Sequence, residues 1–334
     1  MPYVIPVFIS HRGCPHRCLF CNQQVIAGTG RTGHSASEVA LQIRTWLARP
    51  HRRAAVQVAF YGGSFTCLPR SEQDLLIGAV HPFLVAGSVS GIRLSTRPDC
   101  IDADTVAFLR ERGVTVVELG VQSLDEKVLE LSERGHSVED CRRAAGLIRV
   151  AGLELGIQLM PGLPGETSRS FFSTVRQTVA LAPDFVRIYP TLVIAGSGLA
   201  ELYQQGLYQP LSLNRALALA AWAKKRFSGA GIRVVRMGLQ PSAALERDCV
   251  AGPYHPAFGE LVASRLWLQR MRGLLAACPV DKRLHLTINE RDLSAVVGQR
   301  RQNMKRLATL GLAGRLDLVT SQTIARGTVE YAVC

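Results

Sequence analysis

The sequence predicts an α/β protein, built from repeated β/α units around a parallel sheet and followed by a small α/β module. Three observations predict it. From Tyr3 to about Met237, short apolar runs alternate with helical patterns through six repeats. The Gly, Pro and polar signatures of the chain fall at the carboxyl ends of those runs, where barrels and open parallel sheets place their ligands. Beyond about residue 240 the alternation gives way to a loop, a helix, one strand-like run and a basic helical segment. We therefore expect a core over residues 1–240 and a C-terminal module over 241–334.

The first strand, YVIPVFIS, leads directly into CPHRCLFC. A helix over about Ser37–Ala48 carries Val39, Ile43, Trp46 and Leu47 on one face. The strand VQVAF ends at Tyr61-Gly62-Gly63-Ser64, and one helix near Ser71–Leu84 is expected after it. GIRLS then ends at Ser95-Thr96-Arg97-Pro98. The next helix, about Asp102–Arg112, stops at Gly113, which can take the left-handed turn that closes a helix. TVVELGVQ follows, with helices near Asp125–Leu131 and Val138–Val150. LELGIQLM runs into Pro161-Gly162-Leu163-Pro164-Gly165; a helix to Leu181 and the strand DFVRIYP complete the repeats. Helix Leu213–Phe227 and IRVVRM extend the sheet. In the module, LHLTI reads as a strand and AVVGQRRQNMKRLATL as a loop and a basic helix.

Composition bounds the function. With 47% hydrophobic and 19% charged residues, the 334-residue chain has the make-up of a soluble globular protein with an ample core. No apolar run reaches the roughly 18 residues of a membrane helix, and no secretory leader precedes the first strand, so a cytoplasmic protein without membrane contact is expected. Nine cysteines are an odd number for a disulfide framework. Six of them (Cys67, Cys100, Cys141, Cys249, Cys278, Cys334) are scattered, and reduced thiols are expected there. Thirty-nine basic against 26 acidic residues leave +13, a balance that favours an anionic partner, nucleic acid above all. A solvated arginine-rich surface gives the same count.

Cys14, Cys18 and Cys21 place three thiols on one short loop, in the spacing C-x3-C-x2-C. A 4Fe–4S cube takes one ligand per iron, so three cysteines leave one iron open to a small molecule. The competing reading is a structural zinc loop, which wants four closed ligands and would recruit His11, His16 or Cys67. Gln158 is a polar residue inside an otherwise apolar strand; it needs either a satisfied interior partner or a ligand.

The cysteine loop, with Phe20 before its third cysteine, resembles that of the radical S-adenosylmethionine (SAM) enzymes. RLSTRPDCID, LGVQSLDEKVL, ERGHS, QLMPGLPGET and IYPTLVIAGSGLAELYQQGLY narrow the resemblance to the radical SAM core of the Elongator catalytic subunit, and AGPYHPAFGELVASR extends it to about residue 265. The expected fold is then a partial (β/α)6 barrel of TIM type. The cofactors implied are a 4Fe–4S cluster on Cys14, Cys18 and Cys21, and SAM chelating the open iron. Reduction by a one-electron donor such as flavodoxin or ferredoxin would cleave SAM to methionine and a 5′-deoxyadenosyl radical.

The resemblance also implies that Gly62, Gly63 and Ser64 contact the methionyl amino group and that Gln122, with Ser123 beside it, meets the ribose hydroxyls. Arg134 would pair with the methionine carboxylate, Gln158 would face the ligand, and Met160–Pro164, including Pro161, would line the adenine pocket. Ser95 departs from the pattern, standing where related enzymes often carry glutamate. The 334 residues leave no room for that subunit's acetyltransferase domain, so a likeness to its short, stand-alone bacterial relatives is expected. RNA, and tRNA in particular, is the substrate class implied. A small-molecule or tetrapyrrole substrate stays open because the core also resembles oxygen-independent coproporphyrinogen oxidases. A non-catalytic iron–sulfur or zinc RNA-binding protein is the third reading.

AVVGQRRQNMKRL is similar to the RNA-clamping turn of KH domains, with Gly298 present and Arg301 in place of the second glycine. Arg300, Arg301, Lys305 and Arg306 are candidate phosphate contacts; a basic solvent face is the plainer reading.

Overall fold

The computed structural model describes residues 2–9, 12–22, 35–50 and 55–334. Seven strands form one parallel sheet in chain order: β1 (Tyr3–Phe8), β2 (Val56–Tyr61), β3 (Gly91–Thr96), β4 (Val114–Gln122), β5 (Glu154–Leu159), β6 (Phe185–Ile188) and β8 (Arg233–Met237). The six expected repeats are present, and IRVVRM adds the seventh strand. A small antiparallel pair, β7 (Val193–Ile194) and β9 (Cys249–Ala251), lies outside this sheet.

The sheet is curled. β2 and β6 stand four positions apart, which in a flat sheet is about 19 Å at roughly 4.8 Å per strand. Yet Tyr61 Oη and Arg187 Nη2 are 2.9 Å apart. Their side chains meet across the concave side, as in a partial barrel. Strand alternation sorts the rest: Ile5, Val7, Ile92 and Leu94 are fully buried on the other side, while Tyr61, Arg93, Glu118 and Arg187 face inward.

The helices begin where the local chemistry predicts. Ser35 with Glu38 and Ser137 with Asp140 form reciprocal caps at the starts of helices Ala36–Leu47 and Val138–Val150. Asp102 and Asp125 accept backbone N–H groups at the starts of Ala103–Glu111 and Glu126–Leu131. The helix expected as one piece near Ser71–Leu84 is two, Arg70–Gly78 and His81–Val85. Pro82 divides them: it has no N–H to donate, and its ring excludes the carbonyl four residues back. The thiol expectation is also corrected. Cys67 and Cys100 are joined in a disulfide that ties the turn after β2 to the turn after β3.

By its contacts the chain divides into two units, Met1–Ala216 with Ala223–Tyr254, and Leu217–Trp222 with His255–Cys334. Residues 241–254 therefore go with the barrel. The second unit contains a three-stranded sheet ordered β11 (Leu316–Ser321), β10 (Leu284–Asn289), β12 (Val329–Val333). Its core is Trp267, Met271 and Leu275 of helix Phe258–Ala277 against Leu284, Leu286, Ile288, Val296 and Leu307. The segment read as a loop and one helix is two short helices, Leu293–Val297 and Gln302–Thr309, joined at residues 298–301. No helix among the described residues is long and apolar enough to cross a membrane.

Candidate active site

The cysteine loop leaves β1 and is held by its neighbours' backbone. Ser64 N–H donates to Arg12 O at 3.0 Å, and Leu19 N–H donates to Ser132 O at 3.2 Å. Two glycines make this possible. A Cβ on Gly63 would stand 2.5 Å from Arg12 O and 2.6 Å from Ile9 O, and one on Gly135 would enter the His16 ring at 2.5 Å. Gly-Gly after β2 and Arg-Gly-His after β4 are thus contact surfaces for the cysteine loop.

Arg134 is the centre of the arrangement. It is 5% exposed, and it donates from Nη1 to Cys18 Sγ at 3.0 Å and from Nη2 to Gly120 O at 2.6 Å. Its guanidinium lies 5.8 Å from the Phe20 ring centroid. Phe20 is buried with Cys18, Leu163 and Leu199 and backs the loop. Desolvation and the neighbouring Cys18 push the Cys14 thiol up, while Arg97 and Arg134 pull it down.

Gln122 ends β4 with a left-handed backbone, φ +67°, which turns the chain where the register shifts against β5. Its Oε1 accepts from Gln158 Nε2 at 3.1 Å. Gln158 therefore has an interior partner, and that partner is the other candidate glutamine. No hydrogen bond of Gln122 Nε2 or of Gln158 Oε1 to protein is formed among the described residues, which leaves the pair with amide donors and an acceptor for a hydroxyl-bearing ligand.

The two serines lie elsewhere. Ser64, 1% exposed, bonds through Oγ to Cys67 Sγ and Thr96 Oγ1 and accepts from Arg97 N–H at 3.2 Å, so it braces the turns after β2 and β3. Ser123, fully buried, meets Thr174 of helix Ser168–Ala180 at 3.3 Å on the helix side of the sheet. Ser95 is half-buried, with its hydroxyl 3.4 Å from Phe60 O.

In the segment after β5, Pro161 is buried and its carbonyl accepts from Thr191 N–H at 2.9 Å. Gly162 N–H donates to Glu166 at 2.6 Å, and Gly162 O accepts from Tyr208 Oη at 2.5 Å.

Arg97, Glu166 and Tyr208 escaped the sequence reading. Arg97 binds Asp99 through Nε and Nη2 and donates to Arg134 O at 2.5 Å, orienting the arginine that meets Cys18. Its position just after a strand, in Ser-Thr-Arg-Pro, was the available signal.

The second unit brings its four candidates onto one turn and helix. Gly298 has φ +78°, and Arg300 and Arg301 take left-handed values of +51° and +60°. Arg301 thus adopts the conformation a second glycine would supply. Arg300, Arg301, Lys305 and Arg306 are all exposed, with no acidic partner among the described residues.

Residues 8–177 match the model of the Radical SAM superfamily, and residues 183–267 that of the Radical_SAM C-terminal domain. The chain belongs to the radical SAM superfamily. It is similar to the tRNA uridine(34) acetyltransferase of Methanocaldococcus infernus, 38% identical over 260 residues, covering 66% of this chain and 49% of the relative. Elongator complex protein 3 of Homo sapiens is 31% identical over 192 residues, 51% of this chain and 35% of that protein. The chain thus spans about half the length of the acetyltransferase it matches. Among solved structures, Methanocaldococcus infernus Elp3 with its N-terminus deleted superposes with a TM-score of 0.63 at 24% identity, covering 81% of this chain and 63% of that one. Coproporphyrinogen III oxidase of Escherichia coli, a radical SAM enzyme, gives 0.51 at 20%, covering 69% and 53%. Both show the shared fold.

The cofactors of this radical SAM chain are a 4Fe–4S cluster and SAM, and the residues fit them. Three thiols come from one loop; Arg134 donates to Cys18, and Arg97 and Arg134 partly offset the burial and the Cys18 charge that push the Cys14 thiol up. A 4Fe–4S cube takes each thiolate on a different iron.

Proposed function

We propose that this radical SAM enzyme modifies RNA, with tRNA as its substrate class, and that the candidate residues divide the work as follows. Cys14, Cys18 and Cys21 hold the cluster. Bound there, the cluster and SAM supply a 5′-deoxyadenosyl radical for hydrogen abstraction, after one-electron reduction by a flavodoxin- or ferredoxin-type donor. Arg134 pairs with the SAM carboxylate, and its bond to Cys18 keeps ligand and cluster in register. Gly62 and Gly63 offer backbone to the amino group. The Gln122–Gln158 pair meets the ribose diol, and Pro161 stiffens the wall beside the adenine. Ser64 and Ser123 support these loops through the contacts described above.

The observation that carries the reading is the convergence of Arg134 on Cys18, with the glutamine pair at the same strand ends. The RNA class is supported by the tRNA-directed name of the relative, the net charge of +13 and the exposed basic turn. On that turn, Arg300, Arg301, Lys305 and Arg306 contact backbone phosphates.

Two measurements test the substrate class. Filter binding of tRNA should weaken steeply with salt, and Arg300→Ala with Arg301→Ala should lower the slope of log K against log salt by about 1.5. Nucleoside mass spectrometry should show a modified nucleoside lost in a deletion strain. Salt-independent binding together with an unchanged nucleoside profile would remove RNA as the substrate.

A further inference from the structure

Inside the barrel, a layer two residues thick carries charged side chains that the SAM-binding residues do not use. Glu118 of β4 is 5% exposed and is met by side chains from three other strands. Tyr61 of β2 donates to Oε1 at 2.8 Å. Arg187 of β6 donates from Nη2 to the same oxygen at 3.0 Å, sets Nε 2.7 Å from Oε2, and reaches Tyr189 Oη at 3.3 Å from Nη1. Burial and the Glu118 carboxylate push the Tyr61 phenol up, so Tyr61 remains a donor. Glu118 is therefore fully engaged by Tyr61 and Arg187.

Arg93 of β3 is the one left over. It is 8% exposed and comes no nearer than 3.7 Å to Glu118. It makes no hydrogen bond among the described residues, and its Nε is buried without a partner. Its other neighbour is the Phe185 ring, 5.4 Å away, which answers the charge but none of the five donors. Arg236, beside Arg187 in the β6–β8 register, adds a further cation, bonded among the described residues to Gly238 O and Gln240. The layer thus holds three guanidiniums against one carboxylate. A buried Nε–H without a hydrogen bond is unfavourable, and an anion that accepts from it removes the penalty.

We propose that Arg93, flanked by Arg187, is an anion subsite for the carboxylate or phosphate of a small co-substrate held in the barrel. A small molecule is favoured by position. Arg93 is the third residue of β3, two residues deeper than Ser95, and Ser95 is the residue in register with Glu118, so the Tyr61–Glu118–Arg187 bridge crosses the barrel on the strand-end side of Arg93. A terminal oxyanion reaches such a place from the strand ends. A backbone phosphodiester, with nucleotides on both sides, does not. The assignment rests on the proposed function only in placing substrate in this barrel.

The test is thermal unfolding of the full-length, cluster-loaded protein at constant ionic strength, titrated with inorganic phosphate or with malonate. The wild type should show a saturable rise in Tm, and the probe with the lower midpoint identifies phosphate or carboxylate as the group recognised. Arg93→Met should lose the rise and, without probe, unfold at or above the wild-type Tm. Arg93→Lys should keep the rise with a midpoint at least about tenfold higher. Three results overturn the subsite: no rise in wild type with either probe, a rise given only by an RNA oligonucleotide, or an Arg93→Met protein that is less stable or unfolded, which would make Arg93 a structural partner of Glu118. SAM cleavage, read separately as 5′-deoxyadenosine, shows whether the radical SAM chemistry stands when the subsite fails.

Discussion

Replacing Glu166 with glutamine should remove a pH dependence built into the turn after β5. The Glu166 carboxyl accepts from Gly162 N–H through Oε2 at 2.6 Å, and its buried Oε1 has no partner. Desolvation pushes its pKa up to about 8; the Gly162 hydrogen bond opposes the change and Asp125 adds to it. The folded pKa lies above the ordinary carboxyl value, so the folded state binds the proton more tightly. That stability is fully present at low pH, below the unfolded pKa, and is lost as pH rises through about 8. At about 1.4 kcal/mol per pKa unit, ionisation withdraws about 5 kcal/mol by the time the group is fully charged. Glutamine keeps an acceptor for Gly162 and cannot ionise. Its advantage over wild type should grow by about 1.4 kcal/mol per pH unit from about pH 5 to about pH 8 and then level off. Urea unfolding of both proteins at about pH 6 and about pH 9 reads this directly. Parallel pH profiles for the two proteins would refute the reasoning, since a carboxyl that ionises freely in the folded state contributes no such difference.

Two further outcomes follow from the loops around the cysteines. Gly63→Ala drives a methyl group into Arg12 O and Ile9 O, so iron and sulfide bound per chain after anaerobic reconstitution should fall to less than about half of wild type while the far-ultraviolet circular dichroism is retained; full cluster loading would show that the close approach is unimportant. Cys100→Ser opens a 33-residue separation closed by the disulfide with Cys67 and should lower the stability of oxidised protein by up to about 4 kcal/mol. A reductant should bring wild type down to the same value and leave the variant unchanged, and equal urea midpoints under oxidising conditions would contradict this.

Much of the barrel was legible because each strand and helix advertises itself locally. The period switches from two to 3.6, and Asp102, Asp125 and Ser137 mark helix starts through bonds to residues three positions on. The cysteine spacing and the misplaced Gln158 were equally local. What stayed hidden depends on curvature. Nothing in FVRIYP shows that Arg187 will reach Tyr61, more than a hundred residues earlier, until the sheet closes β6 back towards β2. Arg93 and Glu118 likewise carry no local signal of their pairing, since their side chains meet only inside the curled sheet. Ser123 shows how a backbone turn separates neighbours in sequence. Its neighbour Gln122 points at the site, and the positive φ at Gln122 turns Ser123 under helix Ser168–Ala180 instead. The Cys67–Cys100 bond joins two turns whose proximity comes only from the pairing of β2 with β3.

The central claim is that three cysteines of one loop hold a cluster that turns SAM over. It is tested most directly by 5′-deoxyadenosine formation from SAM in anaerobically reconstituted protein supplied with a reductant. The account predicts 5′-deoxyadenosine from wild type and none above background from Cys18→Ala, whose sulfur is the one Arg134 contacts. A wild type that forms none, or a Cys18→Ala protein that still forms it, would contradict the account.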